Sequence, residues 1–498
     1  MMDSARRPWV VLSAACLLIH LLVNNGYGAF SDELYFVVCG LHPAAGYVDQ
    51  PPLVPWIAGA SYTLFGTWLL PLRLVPALSM AATVALTAEL ARLLGGSRFA
   101  QWLSGLAVLL GGVFLVDGLL LTTDMMQPLA WTGLTWVLVK LAQTRDGRWW
   151  LAFGLIVGIG LLSKYLIAFY LLGLAVGVAL TPLRRWFASP YPYLAAVIAL
   201  LFAAPSAVWQ AQHGWPFLQL GQAGVSGKNL ALSPLGFFAQ QILFAGPAAA
   251  PVWIAGLWRF GVRPPQPELR VFALAYVAMA ALFLTLHGKA YYLAPIYPTL
   301  LAGGAVALEN WFGRAWLRSC VLAFVTGIGV LLAPLALPVL PPERYGDYAR
   351  ALGIPSGAAA TEKGKPSALP LHLAGMFGWR EMAAKVDAVW RALPAKERAH
   401  AVFYGRDYGE AAAVAVYGHV PAVSGHNNFF LWGPKDGNVV ITLGNDVTTL
   451  TANYKSVSVA GRIDAPYAMP YETGMPVTVL REPRVPLAAL WPKLRHYD

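Results

Sequence analysis

Apolar runs long enough to cross a bilayer recur from residue 8 to residue 337 of this chain. Backbone polar groups in lipid must satisfy one another, so such runs have to be helices. A transmembrane barrel would show short alternating segments instead, and none is present. Only 12% of the residues are charged, about half the share of a soluble domain. Eleven spans are read, at about 8–24, 74–93, 99–121, 126–142, 149–162, 166–182, 191–209, 236–258, 270–286, 290–308 and 316–337. A single long helix over 151–180 is the rival reading at Ser163-Lys164.

Lys and Arg gather in the loops on the N-terminal side: Arg6, Arg7, Arg92, Arg98, Lys140, Arg145, Arg148, Arg184, Arg185, Arg259, Arg263, Arg270, Arg314 and Arg318. The opposite loops hold Arg73, Lys164, Lys228 and Lys289. Short basic loops stay cytoplasmic, so the N-terminus is expected inside. An odd span count then puts the C-terminus outside, in the periplasm if the membrane is a bacterial inner membrane. The net charge of +11 reports topology and calls for no nucleic acid. The Arg6-Arg7 pair and the run after it resemble a signal peptide but read as an uncleaved first span. Of three cysteines, none lies beyond Cys320, so the C-terminal segment holds no internal disulfide.

The first outer loop, 25–73, is long and carries proline-broken apolar stretches such as Pro51-Pro52-Leu53-Val54-Pro55-Trp56. These suit short interfacial helices. After Leu337 the composition turns rich in Pro, Gly and Ala. From Trp379 the pattern becomes α/β, with strands expected at Ala401–Tyr404 and Val439–Leu443 and a helix at Tyr408–Tyr417 between them. The expected architecture is an all-α polytopic membrane protein, 1–337 including the loop 25–73, then a linker, 338–378, and an extracytoplasmic α/β domain, 379–498.

An acid pair, Asp32-Glu33, opens the outer loop, and Asp124 ends a later apolar run on the same side. A plain structural reading makes Ser31 and Asp124 helix caps. The functional reading makes Asp32 a general base, with Glu33 and Asp124 as its partners. Lys164, Lys289 and Arg73 are the rare outer cations. They either snorkel to the interface or form a phosphate site. Tyr35, Tyr291, Tyr292 and His213 are candidates for contacting substrate, and equally for an interfacial aromatic belt. No HExxH, CxxC pair or nucleotide loop is present, so no motif calls for a metal, although none forbids one.

Taken together these residues resemble a bacterial member of the dolichyl-phosphate-mannose–protein mannosyltransferase superfamily, which includes the lipid A aminoarabinose transferases. The resemblance rests on Asp32-Glu33, Asp124, Gly160-Leu161-Leu162-Ser163-Lys164, Pro205 to Gly214 around Trp209-Gln210 and His213, and Lys289-Ala290-Tyr291-Tyr292 through Tyr297-Pro298. Asp407-Tyr408-Gly409-Glu410-Ala411-Ala412, with Ser424-Gly425-His426-Asn427 through Leu431-Trp432-Gly433, resembles a domain of many bacterial members. Leu34-Tyr35 stands where members often have Arg-Tyr, and Ser163 where Thr is common. The resemblance implies a GT-C fold and a polyprenyl-phosphate sugar donor. It further implies inverting transfer to a hydroxyl of lipid A, glycan or protein, with Asp32 as base and Lys164, Lys289 and Arg73 at the donor phosphate. The rival class is a transporter or flippase of lipid-linked sugars. Its acids would be expected near the midplane of repeated, broken helices; here they sit at span ends and no repeat shows.

Overall fold

The computed structural model describes residues 7–224, 230, 232–355, 360, 367–444 and 448–497. Arg6 and Lys228, both used above for topology, lie outside them. The chain divides into two compact units: Met1–Asn24, Arg73–Val208 and Asn229–Leu340 form one, and Asn25–Leu72, Trp209–Lys228 and Pro341–Asp498 the other.

Each of the eleven apolar runs is helical. Among the described residues, five helices are long and apolar enough to cross a membrane: Leu74–Leu93, Tyr191–Gln212, Pro267–Thr285, Ala290–Trp311 and Ala315–Ala336. Three expected spans are instead bent pairs, broken by 63° after Leu109, 97° after Ala179 and 100° after Ala245. Proline follows two of the breaks, at Pro182 and Pro247, and Gly246 sits at φ +97°. A proline has no N–H to give and a left-handed residue ends a helix, so apolarity continues where geometry turns. Residues 149–182 are two helices, Trp149–Ser163 and Ile167–Ala179, not one. Lys164 stands at the break, extended at φ −156° and ψ 137°.

Small residues let the membrane helices close. A Cβ on Gly304 would stand 1.7 Å from the carbonyl oxygen of Val252, and one on Gly256 1.9 Å from that of Leu300. Backbone thus meets backbone between Ala250–Val262 and Tyr297–Trp311, the small-residue packing usual in lipid. One buried polar set pairs internally: the Thr135 hydroxyl meets Thr299 at 2.7 Å and Tyr170 at 3.2 Å, and Trp131 stacks on Tyr170 with centroids 4.2 Å apart.

The second unit carries a five-stranded sheet in the order β2-β1-β3-β5-β4. Its strands are β1 (Ala401–Gly405), β2 (Ala422–Ser424), β3 (Val439–Leu443), β4 (Tyr454–Arg462) and β5 (Pro476–Pro483). β2, β1 and β3 run parallel, and β5 pairs antiparallel with β3 and β4. β1 and β3 are buried at every residue, as central parallel strands covered on both faces should be. The Tyr408–Tyr417 helix is the crossover from β1 to β2.

Residues 25–72 fold with this sheet, which departs from the expected grouping of that loop with the spans. The reason is a set of specific bonds. The Ser31 N–H donates to Gly375 O at 3.2 Å, the Val48 N–H to Asn428 Oδ1 at 2.6 Å, and Gln210 Nε2 to Tyr47 O at 2.7 Å. The expected linker also holds a helix, Pro342–Ala351. Within the loop, the Ser31–Leu41 helix lies against Leu53–Phe65, where a Cβ on Gly40 would stand 2.1 Å from Pro55 O and 2.6 Å from Gly59 N. Both obstacles are backbone, so Gly40→Ala should push the two helices apart. We expect a loss of about 1–3 kcal/mol, checked by thermal unfolding in detergent. An unchanged midpoint would mean the contact relaxes freely.

Candidate functional site

Ser31 does not cap its helix. Phe30 is the N-cap, and Glu33 reaches back so that its Oε2 accepts the Phe30 N–H at 2.8 Å. Glu33 is fully buried, and this bond ties it to the helix start. The next-door acid is presented differently. Asp32 is half-buried, and its Oδ1 accepts the Tyr408 hydroxyl at 2.9 Å and the Ser31 hydroxyl at 3.4 Å.

Tyr408 begins the crossover helix after β1, so the sheet fixes where its hydroxyl points. Its backbone N–H donates to His426 Nδ1 at 3.3 Å, and its ring lies 4.6 Å from that of Tyr35. Tyr35 is fully buried. Its hydroxyl donates to Asp49 Oδ1 at 2.9 Å and accepts the Asn428 N–H at 3.3 Å. Asp32, Tyr408, His426, Tyr35 and Asp49 therefore form one connected group. Burial pushes the Asp49 carboxyl up to about 6; the Tyr35 hydrogen bond and His426 oppose the shift, and the Asp32 charge adds to it. Burial first, then nearby carboxylates, hold the Tyr35 and Tyr408 phenols well above their ordinary range. Both stay protonated and act as donors. The arrangement offers two carboxylates, each held by a phenol hydroxyl, which suits proton transfer from a hydroxyl.

The membrane unit holds a second group. Both oxygens of Asp124 meet Lys164 Nζ, at 2.7 and 2.6 Å, so Asp124 is an ion-pair partner and not the expected cap, which is Met126. The turn carrying Asp124 is pinned by Ser163 Oγ to Thr123 O at 3.1 Å and by Ser79 Oγ to Met125 O at 2.8 Å. Lys164 Nζ lies 5.9 and 5.1 Å from the ring centroids of Tyr291 and Tyr292, and Lys289 Nζ lies 6.0 Å from that of Tyr291. Asp117, 8% exposed, stands within electrostatic reach of Asp124 and Lys164. Two cations, two tyrosines and two acids thus converge from segments far apart in sequence.

Two expected residues are placed otherwise. Arg73 is fully buried, and its Nη1 donates to Asn24 O at 2.6 Å, at the end of the first helix. His213 is exposed, its ring stacked 4.0 Å from Trp209 and its Nδ1 held 2.8 Å from Trp209 O. Residues absent from the expected set are Asp49, Tyr408, His426 and Asp117. An acid inside the apolar stretch Val48-Asp49-Gln50-Pro51-Pro52 is a costly placement and was the available signal.

Comparison with known proteins adds a partial family match and a fold. Residues 49–209 match the family model described as dolichyl-phosphate-mannose-protein mannosyltransferase. That segment holds Asp49, Asp124 and Lys164 but not Asp32 or Lys289. The lipid A galacturonosyltransferase RgtD of Rhizobium johnstonii is 27% identical over 358 residues, 66% of this chain and 70% of that protein. The structure of ArnT from Cupriavidus metallidurans bound to undecaprenyl phosphate superposes with a TM-score of 0.64 at 17% identity, covering 95% of this chain and 98% of the other. The apo state of that protein gives 0.61. In fold across nearly its whole length, and in sequence across residues 49–209, the chain is similar to the GT-C glycosyltransferases that its motifs resemble.

Proposed function

We propose that this multi-pass membrane protein is a glycosyltransferase. It moves a sugar from a polyprenyl-phosphate donor to a hydroxyl of lipid A or a related envelope acceptor, at the periplasmic face of a bacterial inner membrane. The observation that carries the reading is Asp32, half-buried and oriented by Tyr408 beside the Tyr35–Asp49 pair. The match to an ArnT solved with undecaprenyl phosphate, and the likeness to a lipid A galacturonosyltransferase, support the donor and acceptor classes.

Asp32 takes the proton of the acceptor hydroxyl, or orients it, as the oxygen attacks the anomeric carbon. The C–O bond to phosphate breaks with inversion, and polyprenyl phosphate leaves. Phosphate is an adequate leaving group, so no strong acid is needed. Lys164 and Lys289 stabilise the charge that grows on it. Lys164 already serves Asp124, so the phosphate shares that lysine with a carboxylate. Arg73 and His213 are left as structural groups of their segments.

Purified protein in nanodiscs, given undecaprenyl-phosphate galacturonic acid and lipid A, should release undecaprenyl phosphate and add one sugar mass to the acceptor. No release with that donor or with the aminoarabinose and hexose donors would overturn the assignment. Lys289→Glu should weaken donor binding on the order of tenfold or more. An unchanged donor affinity would mean that Lys289 only snorkels. Asp49 binds a proton as pH falls through about 6. If its carboxylate is the working form, kcat/KM is full above that pH and declines below it. Asp49→Asn should abolish this acid limb, and a limb that survives the substitution would assign it to another group.

A further inference from the structure

Three carboxylates converge in the sheet-bearing unit, away from the groups used above. One oxygen each from Asp407, Glu410 and Glu472 lie within 4.8 Å of one another. Glu410 is fully buried and Glu472 only 2% exposed. Among the described residues, the cation facing them is Arg406, and its bonds are already committed. Its Nε and Nη2 donate to Glu410 Oε1 at 2.8 and 2.6 Å, its backbone N–H to Glu410 Oε2 at 2.7 Å, and its Nη2 also to Tyr471 O at 2.8 Å. Asp407 Oδ1 accepts the Glu410 N–H as the helix cap at 2.9 Å.

Glu472 is left over. Neither of its oxygens receives a hydrogen bond, and the nearest cationic nitrogen, Arg406 Nη2, is 3.9 Å away. A buried carboxylate facing only other acceptors is costly unless something positive stands between them. Three carboxylates thus face one guanidinium, and that guanidinium is bound to Glu410.

We propose that Asp407, Glu410 and Glu472 bind one hard divalent cation, Ca²⁺ by size, which fixes the turn that presents Tyr408 to Asp32. An all-carboxylate set selects a hard ion over zinc or copper. Ca–O bonds of about 2.3–2.6 Å allow ligand oxygens up to about 5 Å apart, whereas Mg–O bonds of about 2.1 Å allow only about 4.2 Å. A divalent ion would balance carboxylate charge that Arg406 does not, without displacing Arg406 from Glu410. The position has a consequence: Asp407 precedes Tyr408, so the ion would order the backbone on which the Asp32 hydrogen bond depends.

The test uses the full-length protein in nanodiscs, stripped with chelator and then titrated with CaCl₂ or MgCl₂. Bound metal is read by elemental mass spectrometry after desalting, and stability by the unfolding midpoint. Wild type should retain one Ca²⁺ per chain and rise by several degrees in midpoint, with a weaker response to Mg²⁺. Glu472→Gln, which keeps the side chain's shape, should lose both the metal and the rise. Wild type that retains no metal and shows no shift would overturn the proposal, because Asp407 and Glu472 would then share a proton. A Glu472→Gln variant that keeps the full Ca²⁺ response would overturn it equally. Neither readout depends on transferase activity, so the outcome is separable from that of the catalytic reading.

Discussion

Asp32→Asn should lower kcat by a factor on the order of 10²–10⁴, the usual worth of a positioned general base, while donor affinity stays within about twofold. The amide oxygen can still accept the Tyr408 hydroxyl at the place where Asp32 Oδ1 now does, so the fold should survive. What is lost is the negative charge that takes the acceptor proton. A companion change separates base from orienter. Tyr408→Phe removes one hydrogen bond to Asp32 but keeps the ring on Tyr35, so it should cost far less, about tenfold. Single-turnover transfer and donor binding, measured on both variants, read these effects apart. Wild-type turnover in Asp32→Asn would remove Asp32 from the chemistry. A Tyr408→Phe defect as deep as that of Asp32→Asn would move the essential group to the phenol.

Lys164→Ala should be the most damaging single change in the membrane unit. Asp124 would lose the ammonium that meets both its oxygens, with Asp117 nearby adding repulsion. Breaking a fully buried pair costs about 3–5 kcal/mol. Here both side chains are 20% exposed, so water screens part of that, and we expect about 1–3 kcal/mol. Lys164→Ala with Asp124→Ala should recover much of the stability, since Asp124 is no longer left without its ammonium and no longer repels Asp117. It should recover none of the donor binding, because the cation is still absent. A double variant as unstable as the single one would show that Lys164 acts through packing on Tyr291 and Tyr292 instead. A double variant with normal donor affinity would free Lys164 from any role at the phosphate.

The parts of this molecule legible in sequence are those set by local pattern. Apolar length marks every membrane helix, and the alternation of strand and helix after Trp379 locates β1, the crossover helix and β3 within a residue. The bends at 110–111, 180–181 and 246 were written in Gly and Pro, yet continuous apolarity masked them. Asp32 and the Asp124 and Lys164 segments were visible because charges at the ends of apolar runs are expensive. Tyr408 was not, because its partner lies 376 residues earlier and nothing local records such a pairing. Asp49 was hidden by its prolines, which read as an interfacial segment. Glu33 shows a second duty that sequence did not reveal: its bond to the Phe30 N–H completes the helix start.

Mass spectrometry of lipid A, envelope polysaccharide and periplasmic proteins from three strains bears most directly on the transferase reading. The strains are intact, deleted for this gene, and deleted but carrying Asp32→Asn. One sugar mass should vanish from one acceptor in both altered strains, and the shift would identify sugar and acceptor together. An Asp32→Asn protein that restores the lost sugar would contradict the reading and bring transport of lipid-linked sugars forward in its place.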